Sequence, residues 1–149
     1  MRILHSLVLA ATLAGAPFSG AQAADYLRES PAPQSVEGIV PACNDPRVLG
    51  QVEDQFEHGA VHMLQADVTV DEFSNLAEKA FFPRTDNASI ERRYCQGSVM
   101  LSDNQRHTVY YRVSYPQGYA SFGWKAEGCV LGLDRWYIYG ANCSSLRRF

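Results

Sequence analysis

The stretch from Tyr94 to Tyr115, YCQGSVMLSDNQRHTVYYRVSY, decides the fold of this chain. Its two ends, residues 94–101 and 107–115, are rich in β-branched and aromatic residues, and a polar turn at 102–105 separates them. Because a connection this short favours antiparallel neighbours, we expect a β-hairpin here.

The same pattern continues towards the C-terminus. Further strands are expected at residues 120–131 and 135–139, after turns at 116–118 and 132–134. One register brings the apolar side chains to a single face, with Val99 opposite Val109, Val113 opposite Phe122 and Val130 opposite Trp136. A slip by one residue would turn a strand inside out, so this agreement supports the register. The apolar face consists of Val99, Leu101, Val109, Tyr111, Val113, Phe122, Trp124, Ala126, Trp136 and Ile138.

An amphipathic helix is the obvious cover for that face. Asp45 is a good N-cap, and Pro46 suits the first helical position. Apolar residues then recur at steps of three and four, and Gly59 marks the expected end. The stripe consists of Leu49, Val52, Phe56, Ala60 and Met63.

The segment after this helix has two interpretations. Alternating apolar residues favour a strand over residues 62–70, whereas Thr69 and Glu72 have the spacing of a capping box for a helix reaching Ala80. We expect the strand. The predicted fold class is therefore α+β: one amphipathic helix on a curved antiparallel sheet of four or five strands, a cystatin-like roll in outline.

The N-terminus has the features of an export signal. Arg2 precedes an apolar segment at residues 3–16, and residues 21–23 read Ala-Gln-Ala, a small-x-small cleavage site. We therefore predict a signal peptide at 1–23, a flexible segment at 24–42 and a single domain at 43–149. The apolar segment is too short to span a bilayer, so we expect a periplasmic or secreted protein without stable membrane insertion after cleavage.

Export gives the four cysteines their meaning. Cys43, Cys95, Cys129 and Cys143 contain no C-x-x-C pair, and in an oxidising compartment they predict two disulfides and not a zinc site. In the expected register, Cys95 and Cys129 lie at opposite ends of their strands, too far apart to be bridged. Cys143, just beyond the last expected strand, returns to the end where Cys95 lies, which favours Cys95–Cys143 with Cys43–Cys129. The rival pairing is Cys43–Cys95 with Cys129–Cys143, because the last two are close in sequence.

Three strings carry a resemblance. Residues 90–95 read IERRYC, residues 108–111 read TVYY, and residues 129–136 read CVLGLDRW, followed by Cys143. Together they resemble a pattern found in small exported alphaproteobacterial proteins of unknown function, over roughly residues 43–148. The resemblance implies an exported, disulfide-bonded single domain, and it implies no catalytic residue.

Candidate catalytic and metal-binding residues are few. His58 and His62 have the i, i+4 spacing of two ligands on a helix, but Gly59 occupies the position where a zinc protease needs Glu, so we expect no metal and no cofactor. His107 could act as a base with Asp103 or Glu127 in a small envelope hydrolase. Ser98 lacks the glycines of a nucleophile elbow.

Composition and the outward sheet face favour binding over catalysis. A chain of 149 residues with net charge −3 is not a general nucleic-acid binder, so we expect a protein or peptide partner. Tyrosine and arginine are typical of recognition surfaces. We therefore expect a non-catalytic binding protein, the alternatives being the hydrolase and a carrier of small apolar ligands. The expected binding residues are Tyr94, Gln96, Tyr110, Arg112, Lys125, Tyr137 and Tyr139.

Overall fold

The computed structural model describes residues 38–147. Over these residues, one helix packs on an open antiparallel sheet of four strands in the order β1-β2-β3-β4, which confirms the predicted α+β class. Short 3-10 turns lie at Tyr119–Ser121 and Ala141–Cys143. The main elements are α1 (Pro46–Gly59), a π-helical turn (Ala60–Leu64), β1 (Val70–Phe82), β2 (Glu91–Leu101), β3 (Arg106–Tyr115) and β4 (Lys125–Val130).

The helix begins where the sequence predicts. The Asp45 side chain accepts a hydrogen bond from the Arg47 backbone N–H at 2.9 Å, and Pro46 takes the first helical position. The Arg47 side chain also bonds the carboxylate and holds the pKa of Asp45 below its ordinary value. Val52 of the predicted stripe is buried against the sheet together with Val48, which the stripe omitted, whereas Met63 of the stripe is exposed.

The expected apolar face is only partly correct. Most of its strand residues are buried in the core. Phe122, Trp136 and Ile138 are instead exposed, and Trp124 is only partly buried. The buried members are Val99, Leu101, Val109, Tyr111, Val113 and Ala126.

The detailed register differs from the prediction, although the faces do not. Val99 lies opposite His107 and not Val109, and Val113 lies opposite Ala126 and not Phe122. Each difference is an even number of residues. Because side chains alternate along a strand, an even shift leaves them on the same face, which explains why the inward face of β2 and β3 was predicted correctly from a wrong pairing.

Both interpretations of residues 62–80 are wrong. The helix continues through the π turn to Leu64, and Gln65 ends it in a left-handed conformation with φ of 54°. A strand then runs from Val70 to Phe82. It pairs with β2 through several register shifts, so backbone bonding to the neighbouring strand overrides the helix-like pattern at 69–80.

No fifth strand forms at residues 135–139, because α1 occupies the outer edge of β4. The Gln51 side chain accepts from the Ala126 N–H at 2.9 Å. The Gln55 side chain accepts from the Gly128 N–H at 3.0 Å and donates to the Gly128 carbonyl at 3.2 Å. These side chains take the place of a neighbouring strand, which is one way to cover a sheet edge.

Gly128 allows this close approach of helix and strand. A Cβ atom at Gly128 would meet a methyl carbon of Val52 at 2.5 Å.

The predicted strand at 120–131 is shorter than expected, because the 3-10 turn at Tyr119–Ser121 delays its start to Lys125.

The disulfides follow the rival pairing. Cys43 is bonded to Cys95, and Cys129 is bonded to Cys143, so the favoured alternative is wrong. Cys95 lies opposite Tyr111 on the face that α1 covers, whereas Cys129 lies opposite Tyr110 on the other face. The sheet therefore separates the two disulfides, and a bond from the start of α1 to Cys129 would have to cross it.

The predicted signal peptide at 1–23 lies outside the described residues, as does most of the segment at 24–42. The described end of that segment is anchored: Val40 is buried, and its N–H donates to the Glu91 carboxylate at 2.8 Å. In the part of the chain that the structure describes, no helix has the length and apolarity needed to cross a membrane.

Candidate functional site

An apolar groove lies beside the end of β4 and has a volume of about 210 Å³. One wall is the last turn of α1 with the π turn, and the other is the irregular segment 133–139. The groove floor is the backbone around Gly128, where the helix and the edge strand meet. Its apolar lining comes from Phe56, Ala60, Met63, Leu64, Val130, Leu133, Trp136 and Ile138.

Asp134 shapes the second wall. Its carboxylate accepts from the backbone N–H of Ile138 at 2.9 Å and of Tyr139 at 2.8 Å. The Leu133 N–H also donates to the Val130 carbonyl at 3.0 Å. These bonds close the segment into a compact loop, so Asp134 is a positioning residue for the groove.

The rim of the groove exposes large apolar side chains to solvent. Trp136 is 68% exposed and Ile138 is 59% exposed, and Met63 and Val61 on the π turn are also exposed. The indole N–H of Trp136 points at the Met63 carbonyl at 3.5 Å, which links the two walls. A contiguous apolar patch of this kind is typical of an interaction site.

Few polar groups face the groove. Gln55 donates to the Tyr139 hydroxyl at 2.7 Å, and burial raises the pKa of Tyr139 above its ordinary value. His58 lines the groove, and its ring contacts the ring of His62 at a tilt of 50°, with centroids 4.3 Å apart. With Asp134 and Arg135, these are the polar side chains of a lining that is otherwise apolar.

The volume limits what the groove can hold. A protein cavity of about 150 Å³ binds benzene, whereas drug-sized ligands occupy sites of about 300–1,000 Å³. At about 210 Å³, the groove accommodates one aromatic ring or one branched aliphatic side chain. A long lipid chain or a polycyclic ligand exceeds it.

The structure gathers five of the seven expected binding residues on the outward face of the sheet. Tyr94 and Gln96 lie on β2, Tyr110 and Arg112 on β3, and Lys125 on β4. The other two, Tyr137 and Tyr139, lie on the irregular segment, where Tyr139 lines the groove.

Much of that outward face is engaged within the domain. Tyr94 is only 5% exposed and contacts the Phe82 ring edge-on at 5.8 Å. The Glu127 carboxylate pairs with Arg112 at 2.7 Å and with Lys125 at 3.2 Å. These contacts leave less of the face available to a partner than the groove rim offers.

The candidate base His107 lies apart from the groove lining. Its Nδ1 is 3.1 Å from the Leu131 carbonyl, and the Asp103 carboxylate accepts instead from the Gln105 N–H at 2.9 Å. Within residues 38–147, no group of three His, Cys, Asp or Glu side chains is placed to hold a metal ion.

Trp136 and Ile138 line the groove, whereas the sequence predicts them on the buried apolar face of the sheet. The run Trp136-Tyr137-Ile138-Tyr139 is apolar without alternation, which is not typical of a strand with one face buried. Flanking Gly132 and Gly140 have positive φ values of 89° and 75°. Glycine on both sides of the run was the available sequence signal, because it indicates turns there and leaves little room for a strand.

Family models, curated proteins and solved structures contain no match to this chain.

Proposed function

We propose that this protein is an exported, non-catalytic binding protein that holds a protein or peptide partner by one large apolar side chain. The observation that carries the proposal is the groove: an open apolar space large enough for a single ring, with exposed apolar side chains at its rim. Anchors of this kind, buried in a pocket and ringed by weaker contacts, dominate the affinity of many protein interfaces.

The disulfides support the exported location. All four cysteines are paired, and disulfides persist in oxidising compartments such as the periplasm or the cell exterior. The signal-like residues 1–23 point the same way. Together these features favour a periplasmic or secreted protein.

The groove dimensions favour a peptide anchor over the two alternatives. A carrier of apolar ligands would need a larger cavity for anything beyond a benzene-sized molecule. A hydrolase using His107 would need that imidazole beside a pocket, whereas its Nδ1 faces a backbone carbonyl and it does not line the groove. The Tyr/Arg sheet face remains a second predicted surface, and the groove variants below separate the two.

Selection of peptides from a random display library on the purified, oxidised protein tests the proposal. We expect enrichment of peptides that share one Phe, Trp, Leu or Ile. Affinity can be followed by isothermal titration calorimetry, which needs no tryptophan and therefore serves the wild type and every variant alike.

The matched variants assign the binding surface. Trp136→Ser and Ile138→Ser should each weaken peptide binding about tenfold, equivalent to about 1.4 kcal/mol. Because both side chains are exposed, neither change should unfold the domain. Tyr110→Ala on the outward sheet face is the control and should leave affinity unchanged. Peptides that bind the Trp136→Ser variant normally but not the Tyr110→Ala variant would move the site to the sheet face.

A further inference from the structure

The loop joining β3 and β4 displays two of the most exposed aromatic side chains of the domain. Tyr119 is 96% exposed and Phe122 is 81% exposed. Large aromatic residues dominate interface energetics once they are buried, and they are rarely left in water without a reason.

The backbone of this loop is closed by its own hydrogen bonds. The N–H groups of Gln117 and Gly118 donate to the Gly123 carbonyl at 3.1 and 3.2 Å. A Cβ atom at Gly118 would lie 1.9 Å from the Phe122 carbonyl oxygen, so only glycine allows this closure. Ala120 adopts a left-handed φ of 51°. Residues held in this conformation cluster at functional sites, which favours a loop built to present its side chains.

The loop and the groove lie at opposite ends of β4. The loop precedes Lys125, the first residue of the strand, and the groove lies at its far end around Val130. A strand of six residues spans about 20 Å. The helix runs along the same direction, because Arg47 in its first turn lies 5.8 Å from the Trp124 ring and its last turn lines the groove.

We propose that the groove of one molecule receives the Phe122 ring of a second copy, so that the protein associates head to tail. This inference rests on the proposed function of the groove as a site for one apolar side chain. A volume of about 210 Å³ exceeds the roughly 150 Å³ that holds benzene, so the phenyl ring fits. Tyr119 then contacts the exposed rim at Trp136. A contact between two different patches of the same chain is heterologous, and it builds rings or open chains.

The charges at the two ends are complementary. The helical wall of the groove, residues 53–64, carries three carboxylates and no lysine or arginine, and the opposite wall adds one carboxylate, Asp134, and one cation, Arg135. Residues 115–125, which include the loop, carry no carboxylate; Lys125 at their end is paired with Glu127, and Arg84, 5.7 Å from the Tyr115 ring, adds an arginine at this end of the sheet. Head-to-tail contact also brings the positive N-terminal end of one α1 towards the negative C-terminal end of the next. Each of these effects favours a contact between the loop of one molecule and the groove of another over a contact between two grooves.

Sedimentation velocity of the purified protein, from about 10 µM to about 1 mM, tests the proposal. We expect the weight-average mass to rise with concentration, because a contact anchored by one ring is weak after the cost of association. Phe122→Ser and Trp136→Ser should each remove this rise. Ile39→Ser, which replaces a similarly exposed apolar residue outside both patches, should leave it unchanged.

Mixing the two inactive variants is the decisive measurement. The Phe122→Ser chain keeps its groove, and the Trp136→Ser chain keeps its loop, so an equimolar mixture should form dimers and no larger species. A wild-type protein that stays monomeric at every concentration, or a mixture that stays monomeric, would overturn the head-to-tail contact. Normal binding of selected peptides in that case would leave the proposed function intact. Assembly that survives Phe122→Ser would show that another surface is responsible and would equally overturn the inference.

Discussion

Replacing Gln55 by alanine tests how the groove is built, because this one side chain joins the helix, the edge strand and the C-terminal segment. It makes three hydrogen bonds: from the Gly128 N–H at 3.0 Å, to the Gly128 carbonyl at 3.2 Å and to the Tyr139 hydroxyl at 2.7 Å. A typical intramolecular hydrogen bond contributes about 1 kcal/mol net. Because the site is only partly buried and water can replace some partners, we expect a loss of about 2–3 kcal/mol.

Gln51 provides the matched control. It lies one turn earlier on the same helix and makes a single bond of this kind, to the Ala126 N–H at 2.9 Å. Gln51→Ala should therefore cost about 1 kcal/mol. Alanine is the better helix former, so neither change weakens α1 itself.

Urea denaturation, analysed with one m value for the wild type and both variants, measures the free energy of unfolding of each protein. Amide hydrogen exchange at Gly128 supplies a local readout and should accelerate in Gln55→Ala but not in Gln51→Ala. Equal costs for the two variants, or a cost below about 1 kcal/mol for Gln55→Ala, would refute the view that glutamines of α1 replace a fifth strand.

Three further outcomes can be measured. Asp134→Ala removes the acceptor of two backbone N–H groups, and it should cost about 2 kcal/mol and weaken peptide binding about tenfold; binding equal to wild type would contradict the positioning role. The Cys129→Ser, Cys143→Ser double variant opens a loop with a sequence separation of 14 and should lose about 3 kcal/mol in urea denaturation, and unchanged stability would contradict this. Burial raises the pKa of Tyr111, so its contribution to stability is constant below about pH 10 and falls above it, as the unfolded chain releases a proton that the folded chain retains. Tyr111→Phe should reduce this alkaline loss by up to about 1.4 kcal/mol per pH unit in unfolding measured from pH 9 upwards, and an unchanged slope would contradict it.

The core could be predicted from sequence because it depends only on alternation. Val99, Val109 and Val113 share a face in any register that differs from the predicted one by an even number of residues. The observed register differs from it by an even number. The start of α1 could also be predicted, because Asp45 and Pro46 act locally.

The edges of the sheet could not be predicted, because they depend on contacts distant in sequence. The strand Val70–Phe82 exists because β2 pairs with it, against a local pattern that resembles a helix start. At the other edge, Gln51 and Gln55 occupy the place of a fifth strand, although they lie far from β4 in sequence. Gln51 and its partner Ala126 are separated by 75 residues. This leaves Trp136 and Ile138 outside the sheet, where they form the candidate site.

The disulfides join cysteines that are consecutive in the chain, Cys43 with Cys95 and Cys129 with Cys143. A polypeptide that enters an oxidising compartment with its N-terminus first therefore presents each cysteine pair in native order, and the first loop can close before the second pair arrives. Native pairing then requires no reshuffling of an earlier bond, so we expect oxidation in this order to give the native disulfides without an isomerase.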